Sequence, residues 1–143
     1  MTAEYDPCPI SRTVSLVAGR WTTLILRELF YGRSRFEEFQ TALGVSRATL
    51  SERLRRLEAD GLVERVQYTD RPPRYEYRLA DKGRALWPVL ATMWAYGSEW
   101  LFDEPTPLMM IDVSSGTEIA PELVDSVNGE SIDVSRVQVV RRR

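Results

Sequence analysis

Apolar residues in the first sixty positions recur at helical intervals, and the pattern then switches to alternation. Ile10, Val14 and Val17 are spaced four and three apart, and Gly19 closes that block. Arg20 to Tyr31 carries Trp21, Leu24, Ile25, Leu29 and Phe30 in or near one stripe, closed by Gly32. Phe36, Phe39 and Leu43 mark a third helix, with Ser34 expected as its N-cap and Glu37 completing a capping box. Gly44 makes a turn. Ser46 then caps a fourth helix with Leu50, Leu54 and Leu57 as its inward stripe and Gly61 as its stop. Leu62 to Thr69 and Arg74 to Leu79 read as strands, with Tyr75, Tyr77 and Leu79 on one face and Glu76 and Arg78 on the other. The tip between them is Thr69 to Pro73. Asp81 is expected to cap one long helix reaching about Leu101, bent or restricted in its first turns by Pro88.

That order predicts a mainly α fold with a small β-hairpin wing (α+β): a winged helix-turn-helix, a long C-terminal dimerisation helix and a small irregular or β tail. Pro105 and Pro107 divide residues 1–104, the DNA-binding and dimerisation domain, from a turn-rich extension over 105–143 with no apparent repeat. With the Leu50 stripe turned inward, Arg47, Thr49, Ser51, Arg53 and Arg56 are expected to point outward, where a major groove accepts them. Arg71 and Arg74, stiffened by Pro72 and Pro73, would reach the backbone or minor groove. Ser34, Arg35 and Ser46 complete the candidate DNA-binding set.

Charge alters this picture in two ways. The net charge of −2 argues against a nucleic-acid partner, but residues 47–84 hold ten basic and seven acidic residues. The excess acid lies from Asp103 to Ser135, with eight acidic and no basic residues, before Arg136 and Arg141 to Arg143. Local field steers DNA more than the total does. Of 19 basic residues only Lys82 is lysine; arginine's planar fork suits phosphates and guanine edges, and an arginine-rich codon bias accounts for the same count. Net acidity keeps a second reading open: a ligand-binding or protein-interaction module on a winged-helix scaffold with weakened DNA binding.

The composition leaves little for catalysis. There is no histidine, so the commonest general base and metal ligand are both missing, and no carboxylate pair or activated serine motif stands in; an enzyme is not expected. One cysteine, Cys8, excludes an internal disulfide and a cysteine-rich zinc site. No metal or other cofactor is expected. The N-terminal residues do not read as a signal peptide, and the longest apolar run, Leu86 to Gly97, is too short to span a bilayer, so a cytoplasmic protein without a membrane partner is expected.

In the expected long helix, Leu86, Leu90, Met93, Gly97 and Leu101 form one stripe, while Trp87, Ala91, Trp94 and Ala95 add apolar surface elsewhere. A helix apolar on more than one side must bury more than one side. A symmetry mate is the economical cover, with Trp87, Leu90, Met93, Trp94 and Leu101 as candidate interface residues.

The CP at Cys8-Pro9, the GRWT-x-LILREL-x-x-G stretch from Gly19, the RF pair, the L-x-x-RL-x-x-LE-x-DGLVER stretch from Leu50 and the PP-R-x-EY-x-L stretch from Pro72 carry a resemblance. In order and spacing they resemble HxlR-type winged-helix transcription regulators, relatives of the MarR group, over about Pro7 to Gly97. The resemblance implies a homodimer on double-stranded DNA, one recognition helix per half-site of a near-palindromic operator, and repression more often than activation. It also implies a redox-sensing candidate at Cys8, with an oxidant or small molecule as effector. Some relatives carry a zinc-ribbon-like tail. Here Ser115-Gly116 and Asp125 to Gly129 stand where its Cys-Gly motifs would, implying a ribbon that has lost its ligands.

Overall fold

A computed structural model of the chain describes residues 7–142. Met1–Asp6 and Arg143, the last of the terminal arginines, lie outside the described residues. The order is α1 Pro9–Val17, α2 Arg20–Phe30, α3 Phe36–Leu43, α4 Arg47–Ala59, β1 Val63–Asp70, β2 Pro73–Leu79, α5 Asp81–Arg84 and α6 Trp87–Trp100, followed by a 3₁₀ turn at Val134–Arg136. The chain packs as two compact units, one ending at Trp87 and the other beginning at Pro88. That division falls at the start of α6, upstream of the prolines that mark the tail in the sequence.

In the first unit the apolar spacings close one core. Ile25, Leu26 and Leu29 of α2, Phe39 of α3 and Leu50, Leu54 and Leu57 of α4 are all buried, joined by Val45, Leu62, Val63 and Leu86. Full burial of such a side chain contributes roughly 1.5–3 kcal/mol. Gly44, at φ 62°, ends α3 in the left-handed conformation and sets the angle to α4. Val63 pairs with Leu79 in an antiparallel ladder that shifts register between Gln67 and Thr69, so Tyr68 is the extra residue of a bulge.

Two expectations for this unit are corrected. Arg35, not Ser34, is the N-cap of α3, and the reciprocal carboxylate is Glu38, not Glu37. An arginine side chain cannot accept a hydrogen bond, so Glu38 takes the amides of both Ser34 and Arg35, at 3.0 and 2.9 Å. The long helix from Asp81 is two helices: α5 ends at Arg84, Ala85 and Leu86 turn, and Pro88 sits second in α6. In a continuous helix the Pro88 ring would meet the carbonyl of Arg84; at the start of a new helix its missing N–H costs nothing.

The second unit holds α6 and a repeat that the sequence reading missed. Ile111 bridges Glu118 and Val124 bridges Ser131, both antiparallel. In each copy the aspartate amide donates across the turn, Asp112 to Thr117 O at 2.9 Å and Asp125 to Glu130 O at 2.8 Å. In each the glycine amide returns to the aspartate carbonyl, Gly116 and Gly129 both at 2.7 Å. Each carboxylate accepts the amide two residues on, Ser114 at 2.7 Å and Val127 at 2.8 Å. The copies lie thirteen residues apart and share an aliphatic-Asp-x-x-x-Gly-x-x-Ile frame.

Candidate nucleic-acid interface

The wing is tied to the helix-turn-helix through the backbone. The Tyr77 amide of β2 donates to the Ser34 carbonyl at 2.7 Å, and the Tyr77 ring stands edge-on to Phe39 at 6.3 Å. Burial raises the Tyr77 phenol above its ordinary value. Behind α3, the buried Glu28 carboxylate pairs with Arg27 and Arg33, and the Arg33 amide donates to the Glu28 carbonyl at 3.0 Å, fixing the path from α2 into α3.

Between the start of α3, the start of α4 and the hairpin lies an open cleft of about 700 Å³. Arg35, Arg47, Arg65 and Arg74 line it with Phe36, Tyr68, Tyr75 and Tyr77, and Glu37 and Glu38 are also on its wall. Three of the guanidinium groups rest on aromatic faces: Arg35 over Tyr68 at 5.0 Å, Arg47 over Phe36 at 4.8 Å and Arg65 over Tyr75 at 3.7 Å. Stacking fixes the plane of each fork while leaving its N–H groups for an anion. The bulge displaces Tyr68 from the ladder, and Arg35 lies over it.

The structure thus brings together Arg35, Arg47 and Arg74 of the sequence-derived set and adds Arg65, Tyr68 and Tyr75, which that set lacks. Ladder register is the signal for two of these: Arg65 stands opposite Tyr77, so Tyr75, two residues along β2, shares its face. Arg71 is exposed at the hairpin tip, beyond the cleft lining, and its bond to Pro72 is cis. Ser34 contributes through its backbone.

α4 sorts its residues differently from the expectation. Ser46 is its N-cap, its hydroxyl accepting the Thr49 amide at 3.2 Å and bonded to the Thr49 hydroxyl at 2.9 Å. Arg47, Ser51 and Arg56 are exposed, and Arg56 lies 3.9 Å from Asp60. Thr49 and Arg53 are half-buried, and Arg53 Nε is buried without a hydrogen-bond partner. Three residues advance a helix by about 300°, so Arg53 sits about 60° from Leu50, flanking the core rather than opposing it. The positions that oppose the Leu50 stripe are Ala48, Ser51, Glu52 and Arg55, all exposed. A helical wheel alone finds them; reading every arginine as outward concealed them.

The remaining candidates are not among the residues that line the cleft. Cys8 is exposed and is the N-cap of α1, its carbonyl accepting the Arg12 amide at 3.1 Å. Trp87 tilts against Phe30 at 5.2 Å, so it is partly committed to the first unit's own packing. In α6, Leu90 and Trp94 are half-buried and Met93 is exposed; Leu101, just beyond the helix, is exposed as well. Tyr96 and Trp100 extend the exposed face of Met93. In the tail, Asp112 and Asp125 already cap their own turns with oxygen ligands, and no cysteine or histidine stands beside them, so these residues do not fit a zinc site. No helix among the described residues is long and apolar enough to cross a membrane.

The family model described as HxlR-like helix-turn-helix matches residues 16–105, a stretch that contains the whole cleft and all of α4. The chain belongs to the HxlR-like helix-turn-helix family. Among its relatives, Rv3095 of Mycobacterium tuberculosis, named an uncharacterized HTH-type transcriptional regulator, is 40% identical over 138 residues, or 96% of this chain and 87% of its own. The solved structure of PA1607 matches with a TM-score of 0.89 at 29% identity, covering 99% of this chain and 100% of PA1607. The redox regulator HypR in its oxidized form has a TM-score of 0.58 at 35% identity, covering 63% of this chain and 94% of its own. The Rv3095 and PA1607 matches both run on through the tail, past the HxlR-like region.

Proposed function

We propose that this chain is a sequence-specific DNA-binding transcription regulator, acting as a homodimeric repressor on a near-palindromic operator. The observation that carries the reading is the cleft: four arginines, three of them braced on aromatic rings, beside the exposed N-terminal half of α4. α4 enters the major groove, while the cleft and the wing tip hold the phosphate backbone on one side of it. The HTH-type name of Rv3095 and the HxlR-like match over the same residues support this assignment. The exposed Met93, Tyr96 and Trp100 face supports a second copy as partner, since a two-fold operator needs two recognition helices. The tail works as a metal-free extension that stays away from DNA, because its stretch to Ser135 is wholly acidic among its charged residues. For an effector, the exposed Cys8 at a helix start and the likeness to HypR, a redox regulator, support an oxidant.

The test is fluorescence anisotropy with the DNA upstream of the chain's own gene, run across a salt series. Specific binding that weakens steeply with salt is expected. Binding that does not change with sequence or salt would favour the interaction-module reading instead. Pre-treating the protein with peroxide, with Cys8→Ser alongside, tests the effector: only the unmodified chain should lose affinity.

A further inference from the structure

The outward face of α4 is a complete stripe: Ala48, Ser51, Glu52 and Arg55 stand at i, i+3, i+4 and i+7. Arg47 borders it on the cleft side and Arg56 on the other. A helix about 10–12 Å across fills a major groove about 12 Å wide. The two bordering arginines then lie nearest the phosphate walls and the stripe faces the bases. From Ala48 to Arg55 the stripe rises about 10 Å, or about three base pairs.

Glu52 is the informative member. Neither the Glu52 nor the Arg55 side chain has a hydrogen bond or ion pair among the described residues, so both heads project unengaged. A carboxylate at the centre of a DNA-facing helix repels phosphates, and it persists there at a cost unless a base rewards it. The cytosine amino group does so. Adenine's amino group stands beside the N7 acceptor, which repels a carboxylate, and guanine and thymine offer only acceptors at this edge. Arg55, one turn on, has the fork that matches guanine O6 and N7.

We propose that Glu52 and Arg55 set the operator sequence, Glu52 selecting a cytosine and Arg55 a guanine within one three-base-pair window of each half-site. This rests on α4 being the helix that enters the major groove. The arginines assigned to phosphates supply affinity, and these two supply the choice of sequence.

The experiment is selection from a library of duplexes with a random core of about 20 base pairs, using the full chain, Glu52→Gln and Arg55→Ala. Both positions are exposed, and thermal melts check that the variants fold. The unmodified chain should enrich a motif holding the cytosine and the guanine. Glu52→Gln should exchange that one cytosine for adenine, glutamine's bidentate match, with a preference change of about tenfold at that position. Arg55→Ala should erase the guanine and leave the rest. If all three proteins enrich one motif, or the unmodified chain's motif lacks the pair, the bases are read elsewhere and this proposal fails while DNA binding stands. If the unmodified chain enriches nothing, the DNA-binding reading fails with it.

Discussion

Gly83 is held by a backbone atom rather than by a turn. A Cβ there would lie 2.0 Å from the Leu62 carbonyl oxygen, which already accepts the Ala80 amide at 3.0 Å. Gly83→Ala must push α5 off the end of β1, and a loss of about 2–3 kcal/mol in urea unfolding is expected; a change within error would show that α5 shifts freely. Glu38 makes a pH-dependent contribution. The amides of Ser34 and Arg35 hold its carboxyl below the ordinary 4.5. A depressed folded value means that the cap contributes fully above about pH 4.5 and fades as pH falls through the lower folded value. Glu38→Gln should therefore be less stable than the unmodified chain at about pH 7, by a gap that narrows on going to about pH 3. An equal gap at both pH values would sink that account. Glu28 marks the limit of reading residues one at a time. Its position in α2 is a core position, and what permits a carboxylate there is the adjacent Arg27 together with Arg33, five residues on in the next loop.

For whole elements, legibility in the sequence follows how local the determinant is. The four helices to Ala59 and the hairpin were readable because spaced leucines, end-capping glycines and alternation are written within each segment. The α5–α6 break hangs on one proline, which a continuous apolar stripe masks. The cleft depended on three elements meeting, and its Tyr68 wall on a bulge that no alternation reveals. The wing cleft and the tip should nevertheless behave alike toward salt. Arg65→Ala and Arg35→Ala, like Arg71→Ala, should each lower the slope of log affinity against log salt by roughly one unit if each fork meets one phosphate. Anisotropy titrations on specific and scrambled duplexes should show equal losses on both. An unchanged slope for Arg65→Ala would remove the cleft from the DNA path.

Across the whole molecule, the two units differ in charge. The arginine forks gather in the first unit, while the second holds eight acids between Asp103 and Ser135 and exposes Met93, Tyr96, Trp100 and Leu101. Met93, Tyr96 and Trp100 share one face of α6, and a contiguous exposed apolar face of this kind marks a surface that another chain covers. Met93→Glu should place an unpaired charge in the face proposed to meet a second copy and shift light-scattering mass from dimer toward monomer at tens of micromolar; an unmodified chain that already runs as a monomer would refute the interface. In the tail, each hairpin closes its own backbone hydrogen bonds and takes none from its neighbour. Its length is thereby quantised. Removing or duplicating thirteen residues in register leaves every remaining turn whole, whereas a change of length between Met110 and Ile119 or between Leu123 and Ile132 cuts through one. Related chains are expected to differ here by whole units, and a designer can lengthen the tail the same way.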